Sequence, residues 1–321
     1  MTQQAQLPRF LASPHLAVVA ANVSCGAPRD GAQGGPDAVI DSGVFNEIQS
    51  KSNIEISFDE HTAPYSQSDH IIDDDFQGMK KPRAVSRATK RISELVYNQA
   101  REGKFVLTLG GDHSIGIGTI SGVAKAIHER HSGREIGVLW IDAHADINTP
   151  ETSHSGRIHG MPVAFVSGLV RMKESGIFDW IGESNLINLH RFVYVGLRDV
   201  DDAEKDIIAK HGVRAFYIDD VREHGIHKVM DSALEYLGNE TPLHVSFDID
   251  SLDPEWAPST GFPVAPGLTR DEGVYIVQRL SNAGSLVAMD LVEINPQIEP
   301  SKLDVTVESG CWVIKNALGM R

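Results

Sequence analysis

From Ile136 to Ile141 the chain is apolar throughout, apart from one glycine, and the run empties directly into Asp142, His144 and Asp146. An apolar stretch without polar alternation suits a strand buried on both faces, as in a parallel sheet covered by helices on each side. Residues two apart on an extended backbone point the same way. Two carboxylates and an imidazole would therefore leave one side of a rigid element, a donor set suited to a hard divalent cation. The remainder of the chain is read for groups that complete such a site.

Seven further stretches read as strands: His15–Asn22, Asn53–Phe58, Lys104–Leu109, Phe192–Leu197, Arg214–Ile218, Leu243–Asp250 and Ser285–Ile294. Helices fit between them. One opens at Pro36 with Val39, Ile40, Val44 and Ile48 on one side, and others cover Ala84–Arg101, the residues after GGDHS through His128, and Met161–Leu169. More open at RDVDDAE and span Val221–Leu237, Arg270–Leu280 and Lys302–Leu318. The acidic, irregular Asp59–Pro82, with Asp73, Asp74 and Asp75 in a row, reads as a solvated loop. Eight strands alternating with helices imply an α/β fold, three layers α/β/α around a mainly parallel eight-stranded sheet. Nothing resembling a Pro/Gly/Ser linker divides residues 1–321, so one domain is expected. Ligands in such sheets bind at the carboxyl ends of the strands, where His113, the Asp142 group, Asp248, Asp250 and Glu293 all fall.

A formal charge of −15 and a pI near 5.3 argue against nucleic acid or an anionic membrane as partner and favour a cationic small molecule. The two cysteines, Cys25 and Cys311, make neither a disulfide framework nor a zinc cluster, which points to a reducing compartment. No apolar stretch approaches the ~18 residues needed to span a bilayer, and the start of the chain lacks the pattern of a secretory signal. A cytoplasmic protein is expected.

Taken singly, each motif has an ordinary reading: DAHAD as a helix cap and turn, SFDIDSLDP as a strand running into a turn, GGDH as a glycine turn. Together they are harder to explain that way, because so many buried charges would lack partners. Four aspartates and two histidines can satisfy two cations if two carboxylates are shared, and paired cations activate a water between them. Oxygen-rich ligation without thiolate favours manganese ahead of zinc.

GGDHSIGIG, WIDAHADINTPETSHSGRIHG, GLRDVD, SFDIDSLDPEWAPSTGFPVAPGLT and MDLVEINP resemble, in order and spacing, the signature segments of the ureohydrolases, and most closely the arginase family. The resemblance runs over nearly the whole chain. It implies two Mn2+ ions, one held by His113, Asp142, Asp146 and Asp248 and the other by His144, Asp142, Asp248 and Asp250. A hydroxide bridging them would attack the guanidinium of L-arginine and release urea and L-ornithine. Asp146 would also hold the hydroxide, Glu293 would anchor the guanidinium, and His159 would move protons, titrating near neutrality. Asn148, Ser153 and Ser155 would meet the α-carboxylate, and Asp201, with Glu204 behind it, the α-amino group. A homo-oligomer, trimer or hexamer, and a place in arginine metabolism and the urea cycle are implied as well.

Three departures bear on substrate choice: Arg157 within SGRIHG, Phe262 within GFP, and Asp202–Ala203 beside Asp201. They keep open a ureohydrolase acting on 4-guanidinobutyrate or agmatine. A catalytically silent binding protein on the same fold is the reading from another class.

Overall fold

The computed structural model of the chain describes residues 8–59, 62–65, 73–172 and 175–320. Its strands are β1 (His15–Val23), β2 (Glu55–Phe58), β3 (Thr62–Tyr65), β4 (Phe105–Gly110), β5 (Gly137–Ile141), β6 (Phe192–Leu197), β7 (Arg214–Tyr217), β8 (Leu243–Asp248) and β9 (Leu286–Val292). They form one sheet in the order β2-β1-β4-β9-β8-β5-β6-β7, with parallel pairing throughout. Strand β3 pairs with β1 at Ala21 and Val23, beyond the stretch that β2 occupies at His15–Val18, so the sheet remains eight strands wide.

Every residue of β4, β5, β6, β8 and β9 is buried, as mainly apolar runs without polar alternation require. Successive side chains enter opposite cores. Val138 and Trp140 pack with the helices Pro82–Arg101 and Gly116–Arg130, whereas Leu139 and Ile141 pack with Ile226–Leu237, Arg270–Ala283 and Leu303–Ala317. Each such fully buried side chain contributes about 1.5–3 kcal/mol relative to exposure, which holds the central strands rigid beneath whatever their ends carry. Among the described residues no helix is long and apolar enough to cross a membrane.

The route of the chain creates the site. After β4 it skips two positions to lay down β5, moves outward through β6 and β7, and returns to fill the gap with β8 and β9. His113, the Asp142 group, Asp248 with Asp250, and Glu293 therefore leave four adjacent strands, about 14 Å across at the usual strand spacing. A crevice is expected where strand order reverses in this way.

Four local expectations change. The helix opening at Pro36 is two, Gly35–Asp41 and Val44–Lys51, broken at Gly43 with φ 80°. Gly225, also at φ 80°, divides the expected Val221–Leu237 helix into Ile218–His224 and Ile226–Leu237. The helix at Met161 is short, Pro162–Val166. The acidic stretch is not wholly a solvated loop either: Thr62–Tyr65 is a strand, and the Asp73 carboxylate accepts the Arg83 and Ala84 amides (3.2 and 2.6 Å), capping the next helix from outside it. Part of Asp59–Pro82, residues 60–61 and 66–72, lies outside the described residues.

Candidate functional site

Asp142 is the first residue past β5, and its two oxygens face different ways. Its Oδ1 accepts the His144 amide at 2.7 Å and its Oδ2 accepts the Trp140 indole N–H at 2.8 Å. Asp248, at the end of β8, repeats the first contact, its Oδ1 accepting the Asp250 amide at 2.7 Å. In both turns a carboxylate fixes the backbone of the donor two residues on, which is why D-x-H and D-x-D recur after strands. Gly111 follows β4 so closely against β1 that a Cβ there would lie 1.8 Å from the Val23 carbonyl oxygen, and this contact sets the turn that delivers His113. Asp146 (φ 50°) and Glu293 (φ 65°) both sit in the left-handed region, strain of about 1 kcal/mol or more that persists where a side chain must be aimed.

His113 Nδ1 lies 3.0 Å from Asp142 Oδ2, 3.1 Å from Asp248 Oδ2 and 3.3 Å from Asp146 Oδ2. His144 Nδ1 lies 3.4 Å from Asp142 Oδ1 and 3.3 Å from Asp250 Oδ2. The metal-capable groups among the described residues are thus His113–Asp142–Asp146 and Asp142–His144–Asp250, with Asp142 common to both. His113 Nε2 lies 2.9 Å from Ser246 Oγ, and that hydroxyl donates to Asp290 Oδ2 at 3.3 Å. The serine proton being committed, the ring donates from Nε2 and turns Nδ1 toward the carboxylates; burial opposes a charge on this imidazole, but Asp142, Asp146 and Glu293 outweigh it and push it up, so Nδ1 attracts a proton or another cation.

Among the described residues the buried Nδ1 has no hydrogen-bond partner, yet it faces three carboxylate oxygens. Three carboxylate oxygens this close to one ring nitrogen need a cation among them, a proton on Nδ1 or a metal ion, and the spacing is that of a metal site: ligand atoms about 2.1 Å from one octahedral ion sit about 3 Å apart. The residues fit a divalent cation on that ground. Electrostatics agree: burial and neighbouring carboxylates push Asp146, Asp248 and Asp250 upward. Burial opposes ionisation of Asp142 too, but His113 and His144 outweigh it and hold this acid below the usual carboxylate range. Divalent cations would let all four ionise.

A cavity of about 370 Å³ opens over these groups. At its inner end Glu293 Oε1 accepts the His113 amide at 2.8 Å and lies 3.9 Å from His159 Nδ1. Burial and Asp112 push the Glu293 carboxyl up to about 8. Burial, with His144, His113 and Arg157 nearby, pushes His159 down to about 3, so its imidazole is neutral at rest.

Asn148, Ser155, Asp201 and Glu204 line the outer end. Asn148 Nδ2 donates to Asp201 Oδ2 at 2.8 Å, while Asp201 Oδ1 accepts the Glu204 amide at 2.9 Å as the cap of helix Asp202–His211. Glu204 accepts the Ile147 amide and the Asp201 amide, both at 3.2 Å, and burial and Asp201 push it up to about 7. Ser153 is not in the cavity wall; its hydroxyl accepts the Gly156 amide within the loop. A larger hollow, about 610 Å³ and lined by His128, Arg134 and Arg191 among others, surrounds the turn leading into β5 at the opposite end of that strand and holds none of the metal-capable groups.

Sequence reasoning missed the support beneath the donors. Trp140 stacks on His113 with centroids 3.9 Å apart and planes 10° apart. Asp199 Oδ2 lies 3.6 Å from His144 Nε2. Asp290 gathers Thr119 Oγ1 (2.6 Å), His244 Nε2 (3.0 Å) and Ser246. The available signal was polar residues inside otherwise apolar strands, Ser246 in β8 and Asp290 in β9.

The sequence profile of the arginase family matches residues 14–319. An arginase from Emericella nidulans is 49% identical over 312 residues, covering 97% of this chain and 96% of that protein. A crystal structure of arginase from Bacillus subtilis superposes with a TM-score of 0.84 at 30% identity, covering 96% of this chain and 99% of that one. The Entamoeba histolytica arginase, crystallised with L-ornithine, superposes with a TM-score of 0.82 at 26% identity over 97% and 100% of the two chains.

Proposed function

The chain belongs to the arginase family, and from that premise we propose that its cavity hydrolyses L-arginine to L-ornithine and urea over a pair of Mn2+ ions. The observation that carries the reading is the buried Nδ1 of His113 ringed by three carboxylate oxygens at 3.0–3.3 Å, in a cluster whose Asp142 also serves His144. His113, Asp142, Asp146 and Asp248 would hold one ion, and His144, Asp142, Asp248 and Asp250 the other. Two such ions, when bound, would lower the pKa of a water so that it could act as a nucleophile at neutral pH. Oxygen donors outnumber nitrogen and no thiolate is present, which supports manganese.

The protein's own groups do the rest. A guanidinium is cationic at any ordinary pH and must be held and oriented. Glu293, aimed into the cavity by its left-handed backbone, receives it; the incoming cation offsets the burial that otherwise keeps this carboxyl protonated. Asp146 accepts a hydrogen bond from the attacking water. His159, neutral at rest and 3.9 Å from Glu293, takes up the proton released on attack and gives it to the departing amine.

At the outer end Asn148 and Ser155 offer donors to an α-carboxylate, and Asp201 an acceptor to an α-ammonium. Agmatine lacks the first group and 4-guanidinobutyrate the second. Ser153 keeps its place in this scheme only through a rearrangement of its loop. Cys25 and Cys311, both buried free thiols, support a reducing compartment, the cytoplasm. Family membership supports a homotrimer, singly or paired, as light scattering would register. Urea release from L-arginine, agmatine and 4-guanidinobutyrate, measured on manganese-loaded protein, tests the assignment. A preference for L-arginine is expected, and a preference for agmatine would overturn the outer-end roles.

A further inference from the structure

His159 is held by a stack built from three separate segments. The Phe262 ring lies against the His159 imidazole, centroids 5.5 Å apart and planes 28° apart, and presents an edge to His144 at 6.3 Å. Arg29, from the loop after β1, places its guanidinium 4.9 Å from the Phe262 centroid and donates from Nη1 to the Gly261 carbonyl. That loop is anchored from below, where the Asp112 carboxylate accepts the Gly26 and Ala27 amides at 2.8 and 3.2 Å.

The side-chain contacts given to the His159 ring are this stack and the 3.9 Å approach to Glu293. Among the described residues no side-chain hydrogen bond holds it; the backbone amide of His159 donates to Gly26 O at 3.3 Å, tying the segment to the same loop that carries Arg29. Packing, not hydrogen bonding, therefore sets the angle of this ring, and a proton carrier turned out of line spends little time facing both water and leaving group.

We infer that Phe262, clamped by Arg29, is a positioning residue that sets the orientation of His159 during turnover. The inference rests on the reading of His159 as proton carrier. Phe262 also lines the cavity, but its ring is engaged by His159 and Arg29, so its loss is expected to lower kcat by more than it raises KM. Aromatic pairing of this kind is worth about a 3- to 10-fold effect and an exposed cation over a ring about 2- to 5-fold.

The test is a double-mutant cycle on the manganese-loaded enzyme with L-arginine. Phe262→Leu should lower kcat about 3- to 10-fold with a smaller change in KM, Phe262→Tyr should restore it, and the surface substitution Arg29→Ala should lower kcat about 2- to 5-fold without threatening the fold. In a His159→Ala background, Phe262→Leu should cost nothing further. Equal losses in both backgrounds, or a loss confined to KM, would overturn the inference, as would full activity in both Phe262→Leu and Arg29→Ala. His159→Ala retaining full activity would instead remove the proton-carrier reading on which it stands. Circular dichroism and metal content at the unsubstituted level confirm that a loss is read on folded, loaded protein; if Phe262→Leu fails that check, Arg29→Ala in both backgrounds decides.

Discussion

Removing Asp142 and removing Asp250 should have unequal consequences. Asp142 approaches both His113 (3.0 Å) and His144 (3.4 Å), whereas Asp250 approaches His144 alone of the two (3.3 Å). Asp142→Ala therefore removes a ligand from both ions and Asp250→Ala from one. An ion that binds only the folded chain at 100 times its dissociation constant stabilises it by about 2.7 kcal/mol, so two contribute roughly 5 kcal/mol. Unfolding entropy of about 2.1 cal/mol/K per residue over 321 residues converts this to a rise in Tm of roughly 8 °C. The unsubstituted chain should show that rise on manganese addition, Asp250→Ala about half of it with one ion per chain, and Asp142→Ala almost none. Melting each protein with and without manganese makes every variant its own reference, so the Trp140 N–H and His144 amide that Asp142→Ala leaves unpaired do not enter the difference. Two ions per chain in Asp142→Ala, or an undiminished rise in Tm, would refute the shared-ligand argument.

Other consequences follow from the same geometry. His159→Ala should keep both ions by elemental analysis and lose about 10²- to 10⁴-fold in kcat, the usual contribution of a positioned proton carrier. Ser246→Ala frees Nε2 of His113 and should weaken manganese binding about 10- to 100-fold in titration calorimetry. Glu204 is raised from 4.5 to about 7, so the fold favours its protonated form; its stabilising contribution is complete below about 4.5 and is lost as pH rises through about 7. Urea unfolding across that window should show Glu204→Gln gaining on the unsubstituted protein by roughly 2 kcal/mol, whereas a constant gap would contradict the burial assigned to this carboxyl.

Much of this was legible because burial on both faces leaves its mark. Strands β4, β5, β6, β8 and β9 are buried at every residue, and their apolar runs end where polar donors begin. The metal-capable residues were readable only jointly: each motif alone has an ordinary cap or turn reading, but together they would leave many buried charges without partners. What depends on contacts between distant segments was not. The cap that Asp73 supplies to Arg83 and Ala84 spans ten residues, and no capping pattern relates residues so far apart. The break at Gly43 hides within an apolar pattern that continues in phase across it. Strand β3 is four residues long, contains Pro64 and lies at the sheet's edge, too short for a period to register. The burial that depresses His159 and the stack of Arg29, Phe262 and His159 exist only once three loops have met.

The central claim is that donors from separate strand ends surround a pair of ions and that Asp142 is a ligand to both. Anomalous diffraction at the manganese edge, from crystals grown with excess Mn2+, addresses it without reference to activity. Two peaks are predicted, one beside His113 Nδ1 and one beside His144 Nδ1, with an Asp142 oxygen coordinating each. A single peak, or two that do not share Asp142, would contradict the account.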